Sequence, residues 1–438
     1  MELRRVGSVP TYVFEQLDAW KAEATADGAD VIDLGIGSHD LPTPRPALAR
    51  LAAAAAQPRE HGYPTSAGLP ELRAAVAGWY RAEHGVELDP DGEVAVTWGA
   101  SEALAHLPWV LLQPGDTAVI PEPCYPIHRY SVLFSGARAV GLPLLETADA
   151  GERPPADDAG PAAIPDHRHG AARHADDALF ERLVAACERA RPRPRVVLVS
   201  FPHNPTTRCV DSGCFARLVD YARRRDLRVI HDFAYAEIGF DGYRPPSILA
   251  APGAADVAVE VVSLSKSHNM AGWRVGFVAG NAEIVGGLRR LKSYLDYGVT
   301  LPVQRMAQAA LTECTNVPAR MAGVYQARRD ALCDGLAAAG WDVPPPRGTM
   351  FVWARLPKPR RADGSLLFAE RLLREAHVAV SPGVGFTGPS SLSDGRGDAE
   401  DATGSKADEF VRFALVQPED RLREACRRIG RVLREWSG

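Results

Sequence analysis

The chain has 438 residues, 46% hydrophobic and 24% charged, which excludes a wholly disordered or fibrous protein and favours about two or three domains. Fifty lysines and arginines against fifty-five aspartates and glutamates leave a net charge of −5, removing the electrostatic reason to expect nucleic acid or an anionic membrane as partner. No apolar run approaches the ~18 residues of a membrane span; the best, 103–112, is broken by His106 and Pro108.

The opening MELRRVGSVPTYVF has no apolar core or small-residue cleavage site, so no signal peptide is expected. Cys124, Cys187, Cys209, Cys214, Cys314, Cys333 and Cys426 form no CxxC pair and read as free thiols of a cytoplasmic protein.

In chain order, residues 69–84 carry apolar residues at helical spacing, and 94–97 and 117–120 read as strands buried on both faces. A helix is expected over 178–191, a strand over 196–200, a helix over 215–225, and strands over 228–232 and 257–264. This alternation predicts a mainly parallel sheet with helices on both sides. Past about residue 303 comes a long helical region, then strands at 351–356, 378–381 and 410–415, and a charged helix over 420–436. That pattern predicts a second, smaller α+β domain. Residues 146–177 and 387–407 are poor in large apolar side chains, with Ile164 and Leu392 as their only large aliphatics, and are expected to be mobile surface insertions. His167, His169 and His174 in the first imply no fixed metal geometry, so a solvated loop is expected there.

The stretch 261–277, VVSLSKSHNMAGWRVGF, ends a buried strand in Ser263-Leu-Ser-Lys266, with Arg274 eight residues on. A lysine in such a place is unusual, because lysine is among the residues least often buried. FPHNPTT at 201–207 follows one strand and HDFAY at 231–235 ends another. The C-terminal ends of strands in a doubly wound sheet share one edge, so Asn204, Asp232, Tyr235 and Lys266 should converge on one cleft. An aspartate, a tyrosine and a lysine together suit an aromatic aldehyde cofactor held as a Schiff base.

The order Asn-Pro, Asp-x-x-Tyr, Ser-x-Ser-Lys, then Arg resembles the class I/II aminotransferases of the pyridoxal-phosphate fold type I superfamily. HGYPTSAGLPELR, HDFAYAEIGFDGYRPPS, SLSKSHNMAGWRVGF, LKSYLDYG and VSPGVGF are most similar to its glutamate–pyruvate (alanine) and diaminopimelate aminotransferase branch. The resemblance implies a large cofactor-binding domain over 46–302, with a mainly parallel seven-stranded sheet between helices. It implies a smaller α+β domain over 303–438, joined by part of an N-terminal arm, 1–45. It implies pyridoxal 5′-phosphate, a homodimer with shared active sites, and ping-pong transfer of an amino group from an L-amino acid to a 2-oxo acid, pyruvate or 2-oxoglutarate.

Residue by residue, the resemblance gives Lys266 the covalent bond to the cofactor and the proton transfer at the substrate Cα. Asp232 should hold the pyridine nitrogen protonated, Tyr235 and Asn204 should donate to the phenolic oxygen, and Tyr125 should stack on the ring. The phosphate falls to Arg274, Ser263, Ser265 and the helix-opening N–H groups of Ala100, Ser101 and Glu102, with Tyr63 reaching it from the neighbouring subunit. Arg412 should grip the substrate α-carboxylate, with Gly37, Ile36, Tyr12, Asn204 and Tyr125 beside it. Three positions depart from the family pattern: Ala100 where a hydroxyl is frequent, His39 where the loop usually has proline, and His268 where the branch usually has tyrosine. Another reaction on the same cofactor (β-elimination, cyclisation or oxidation) shares these residues and is the alternative. A cofactor-binding regulator fits less well, because little chain precedes the first core strand and the net charge is negative.

Overall fold

The computed structural model describes Val9 and residues 13–145, 167–388 and 406–436. Its strands, in chain order, are β1 (Ile32–Asp33), β2 (Val94–Thr97), β3 (Thr117–Glu122), β4 (Arg138–Pro143), β5 (Val196–Ser200) and β6 (Arg228–Asp232). There follow β7 (Ala258–Ser263), β8 (Gly276–Gly280), β9 (Phe351–Arg355), β10 (Val378–Ala379), β11 (Ser381–Pro382) and β12 (Phe410–Ala414).

The seven-stranded sheet runs β2-β8-β7-β6-β5-β3-β4, and β8 alone runs antiparallel to the other six strands. Every residue of β5 and β7 is buried, because helices cover both faces. Ile230, Leu198 and Val261 face Leu104 and Leu107 of helix Gly99–Leu111 and Leu288 of helix Ala282–Leu295. Val197, Val199 and Val229 face Phe215 and Leu218 of helix Ser212–Arg225 and Leu183 of helix His167–Arg189. Burying each such side chain contributes about 1.5–3 kcal/mol, so truncating Ile230 to alanine is expected to cost roughly 2–5 kcal/mol.

A three-stranded antiparallel sheet, β11-β12-β9, stands beside this sheet, and β1 pairs with β10 in parallel. Helices Val317–Ala338, Gly364–Ala376 and Glu419–Glu435 pack around it through Leu332, Leu336, Phe368, Leu422 and Ile429. Arg412 lies in β12 between Trp353 of β9 and Ser381 of β11.

The structure corrects the expectation for residues 146–177. Helix His167–Arg189 begins well before the expected 178, so 167–177 belong to it, while 146–166 lie outside the described residues. Asp176 is buried and accepts the Asp211 N–H at 2.9 Å, and Arg208 donates to the Ala175 carbonyl at 2.6 Å. Polar anchoring, together with the helix propensity of Ala171, Ala172 and Ala175, supplies the order that apolar burial does not. The side chains of His167, His169 and His174 lie outside the described residues. In the second segment, 389–405 lie outside them too, but Ala407 is buried in the 3₁₀ turn Lys406–Glu409.

Candidate active site

The C-terminal edge of the parallel strands opens into a cavity of about 340 Å³. At the end of β7, the Ser263 hydroxyl caps the short helix Leu264–Ser267 by accepting the Ser265 N–H at 3.1 Å. That turn presents Lys266 to the cavity, where its Nζ donates to the Gly37 carbonyl at 2.7 Å. Burial, reinforced by the charges of Arg412 and Arg274, pushes the amine down from 10.5 to about 8. Gly37 is held against an aromatic ring: a Cβ there would meet the Phe351 ring at 2.8 Å.

Asp232 closes β6, is buried, and accepts from His128 Nε2 at 2.8 Å and from the Ala234 N–H at 3.2 Å. A carboxylate only accepts, so Nε2 carries the proton. Tyr235 lies one turn on, and burial pushes its hydroxyl far above the usual tyrosine range. Asn204, beyond the end of β5, faces the same space, as does Tyr125 just before helix Pro126–Phe134.

One end of the cavity suits an anion. Helix Gly99–Leu111 has no side-chain cap, and Ala100 and Ser101 of its first turn line the cavity with Ser263, Ser265 and Arg274. Gly99 has a φ of +70°, and a Cβ there would meet Arg274 Nη2 at 2.9 Å, so glycine is needed for both backbone and guanidinium. At the other end Arg412 is buried; its Nη1 donates to Asn204 Oδ1 at 2.8 Å and its Nη2 to the Gly35 carbonyl at 2.9 Å and Ser381 Oγ at 3.2 Å. Its guanidinium carbon lies 4.0 Å from the Phe351 ring centroid and 4.7 Å from that of Phe386. A cationic end for a phosphate, a buried carboxylate for a ring nitrogen and a low-pKa amine for an aldehyde match pyridoxal 5′-phosphate in chemistry.

Nearly all the sequence-predicted residues therefore meet in one cavity, with Ile36 at its rim. Glu102 turns its side chain away: it accepts from the Trp98 N–H, His106 and Lys292. Burial pushes its carboxyl up, but His106 and Lys292 outweigh that and hold it down. Lys292 is fully buried between Glu102 and Asp296, outside the cavity. Tyr63 is 89% exposed, 5.5 Å from the Tyr297 ring, and Tyr12 lies outside the described residues. His268 is buried behind the lysine and paired with Ser267 Oγ at 2.9 Å; burial pushes it down to about 4, so it stays neutral. Burial and the Lys266 charge likewise push His39 down. Sequence reasoning missed His128, which stands three residues after Tyr125 on one helix face. It also missed Phe14, Phe351 and Phe386 around Arg412.

Comparison with known proteins agrees with this geometry. The sequence profile described as "Aminotransferase class I and II" matches residues 29–429. The chain is 41% identical to the glutamate–pyruvate aminotransferase AlaC of Escherichia coli, over 98% of this chain and 93% of that protein. It is 37% identical to the LL-diaminopimelate aminotransferase of Syntrophobacter fumaroxidans, over 99% of each. Among solved structures, a Thermus thermophilus aspartate aminotransferase double mutant superposes with a TM-score of 0.81 at 26% identity, covering 99% of both chains. The chain therefore belongs to the class I and II aminotransferases, enzymes that use pyridoxal 5′-phosphate to move an amino group from an amino acid to a 2-oxo acid.

Proposed function

We propose that the chain acts in the cytoplasm as a homodimer with shared active sites, taking the amino group of an L-amino acid and passing it to pyruvate or 2-oxoglutarate. The observation that carries the site assignment is the Lys266 amine, lowered to about 8 in a cavity whose two ends are the cations Arg274 and Arg412. The names of the two curated relatives, one a glutamate–pyruvate and one an LL-diaminopimelate aminotransferase, support the substrate class. The exposed Tyr63, Tyr294, Leu295 and Tyr297 support burial against a second subunit, with Tyr63 acting on that subunit's phosphate site. The chain divides into 1–45, 46–302 and 303–438, and the cavity lies between residues of all three parts.

In this reading Ala100, Ser101 and Glu102 offer main-chain N–H groups to the phosphate, alongside Ser263, Ser265 and Arg274. Asp232, fixed by His128, holds a proton on the ring nitrogen; Tyr125 covers the ring face; Tyr235 and Asn204 donate to the phenolic oxygen. When bound, the cofactor supplies an aldehyde that takes an amine covalently and a protonated ring that accepts the electron pair released at the substrate Cα. Arg412 fixes the substrate α-carboxylate by charge-assisted hydrogen bonding, which orients the Cα–H bond. Gly37 and Ile36 shape the wall beside it. Lys266 Nζ, part neutral near pH 8, first holds the cofactor and then takes the Cα proton. Screening L-amino acids against pyruvate and 2-oxoglutarate tests the reading, with release of the donor's 2-oxo acid as readout. Release of ammonia, with no acceptor dependence, would refute it.

A further inference from the structure

His231 and Glu260 touch neither the cavity nor solvent, yet they join the three strands that carry the site. They lie opposite each other on β6 and β7, and both are fully buried. Strand alternation puts His231 on the face opposite Asp232, which follows it. Glu260 accepts four bonds: His231 Nδ1 at 2.8 Å and the Ile248 N–H at 2.7 Å on Oε1, and Ser247 Oγ at 2.7 Å and the Tyr80 hydroxyl at 3.0 Å on Oε2. Four donors fill a carboxylate and assign a proton to Nδ1 of the imidazole. The other ring nitrogen, Nε2, lies 3.0 Å from the Phe201 carbonyl and 3.3 Å from the Phe201 N–H. Phe215 and Phe233 flank the ring at centroid distances of 4.7 and 4.8 Å.

Phe201 is the first residue past β5 and stands three before Asn204. The imidazole is thus a strut from the carboxylate of β7, across β6, to the main chain of the turn that holds Asn204. Asn204 in turn holds Arg412 at 2.8 Å.

We propose that His231 is a positioning residue for the reaction: through Phe201 it sets where Asn204 presents its amide to the cofactor and to Arg412. The proposal rests on the role given to Asn204 above.

Two isosteric replacements separate its halves. The His231→Asn amide reaches Glu260 but not Phe201, whereas the His231→Gln amide reaches Phe201 in the manner of Nε2. In the cofactor-free chain, amide exchange across 201–205 should quicken about tenfold in His231→Asn and stay near the unmutated rate in His231→Gln. In the holoenzyme, His231→Asn should raise KM for the amino donor about tenfold and move the pH midpoint of the cofactor absorbance upward. His231→Gln should restore both. A role in stability alone would lower the melting temperature of both variants and move neither KM nor the midpoint; that result overturns the proposal. Asn204→Ala is the control. If it shifts KM and midpoint while His231→Asn shifts neither, the strut fails and the reading of Asn204 stands. If Asn204→Ala shifts nothing, that reading fails and takes the strut's function with it. The unmutated chain supplies a check independent of any variant: the Phe201 amide should exchange as slowly as those of 197–199, and fast exchange there contradicts the strut.

Discussion

Replacing Arg412 with lysine keeps the charge and removes the fork. The guanidinium is buried and already spends Nη1 on Asn204 and Nη2 on Gly35 and Ser381, so its position is set before any substrate arrives. A lysine ammonium is a point charge on a flexible stem with three donors, and it cannot serve those three partners and also bind a carboxylate. Losing one charge-assisted bond costs about 1.5–3 kcal/mol, or roughly ten- to a hundredfold in kcat/KM. The α-carboxylate is held alike before and during reaction, so most of the loss should fall on KM. The Lys266 amine provides the internal control. After burial, the Arg412 charge is the next influence that lowers it, and the replacement lysine preserves that charge. Arg412→Lys should therefore leave the pH dependence of the cofactor absorbance in place, whereas Arg412→Met should shift it upward. The assay is initial-rate kinetics with several amino donors at saturating 2-oxo acid. Unchanged kcat/KM for every donor would refute the assignment.

Lys266 should also cost the cofactor-free chain stability. Its amine is lowered from 10.5 to about 8, so the folded state resists a proton that the unfolded state accepts. The penalty is full below pH 8, up to roughly 3 kcal/mol, and fades as pH rises to the unfolded value. Cofactor-free Lys266→Met should therefore melt higher at neutral pH and converge with the unmutated chain near pH 10.5; a constant difference across that range would count against it. Replacing 148–165 with a short Gly/Ser bridge should leave the melting temperature within a degree or two, whereas a cut extending through Asp177 should lower it, because Asp176 and Ala175 anchor the Arg208–Asp211 turn. Calorimetry on both deletions decides this. Tyr63→Glu sets a carboxylate against the phosphate, and mixing it with Lys266→Ala should restore activity in heterodimers if Tyr63 acts across the interface; purified heterodimers that stay inactive would place Tyr63 elsewhere.

The strands that sequence patterning located best, β2, β5 and β6, are short runs buried on both faces, where Val and Ile leave little ambiguity. β4 went unread because it is an edge strand with a partly exposed face, and β8 because Gly276 and Gly280 dilute its pattern. The cofactor end of the site was legible because each of its residues sits at a strand end or helix start within a recognisable motif. The surroundings of Arg412 were not. Phe14, Phe351 and Phe386 come from three distant parts of the chain, and no periodicity links them. Composition hides the helical residues 167–177, because their order comes not from apolar side chains but from a buried aspartate that accepts from a neighbouring turn.

The central claim is that Lys266 carries the cofactor and releases it as an amine once a donor has reacted. Borohydride reduction followed by peptide mapping tests both parts at once. The resting holoenzyme should carry one phosphopyridoxyl group per chain, on the peptide containing Lys266. After incubation with an amino donor and no 2-oxo acid, the label should vanish from every lysine. A label on Lys292, or a label on Lys266 that persists at full strength after the donor has reacted, would contradict the account.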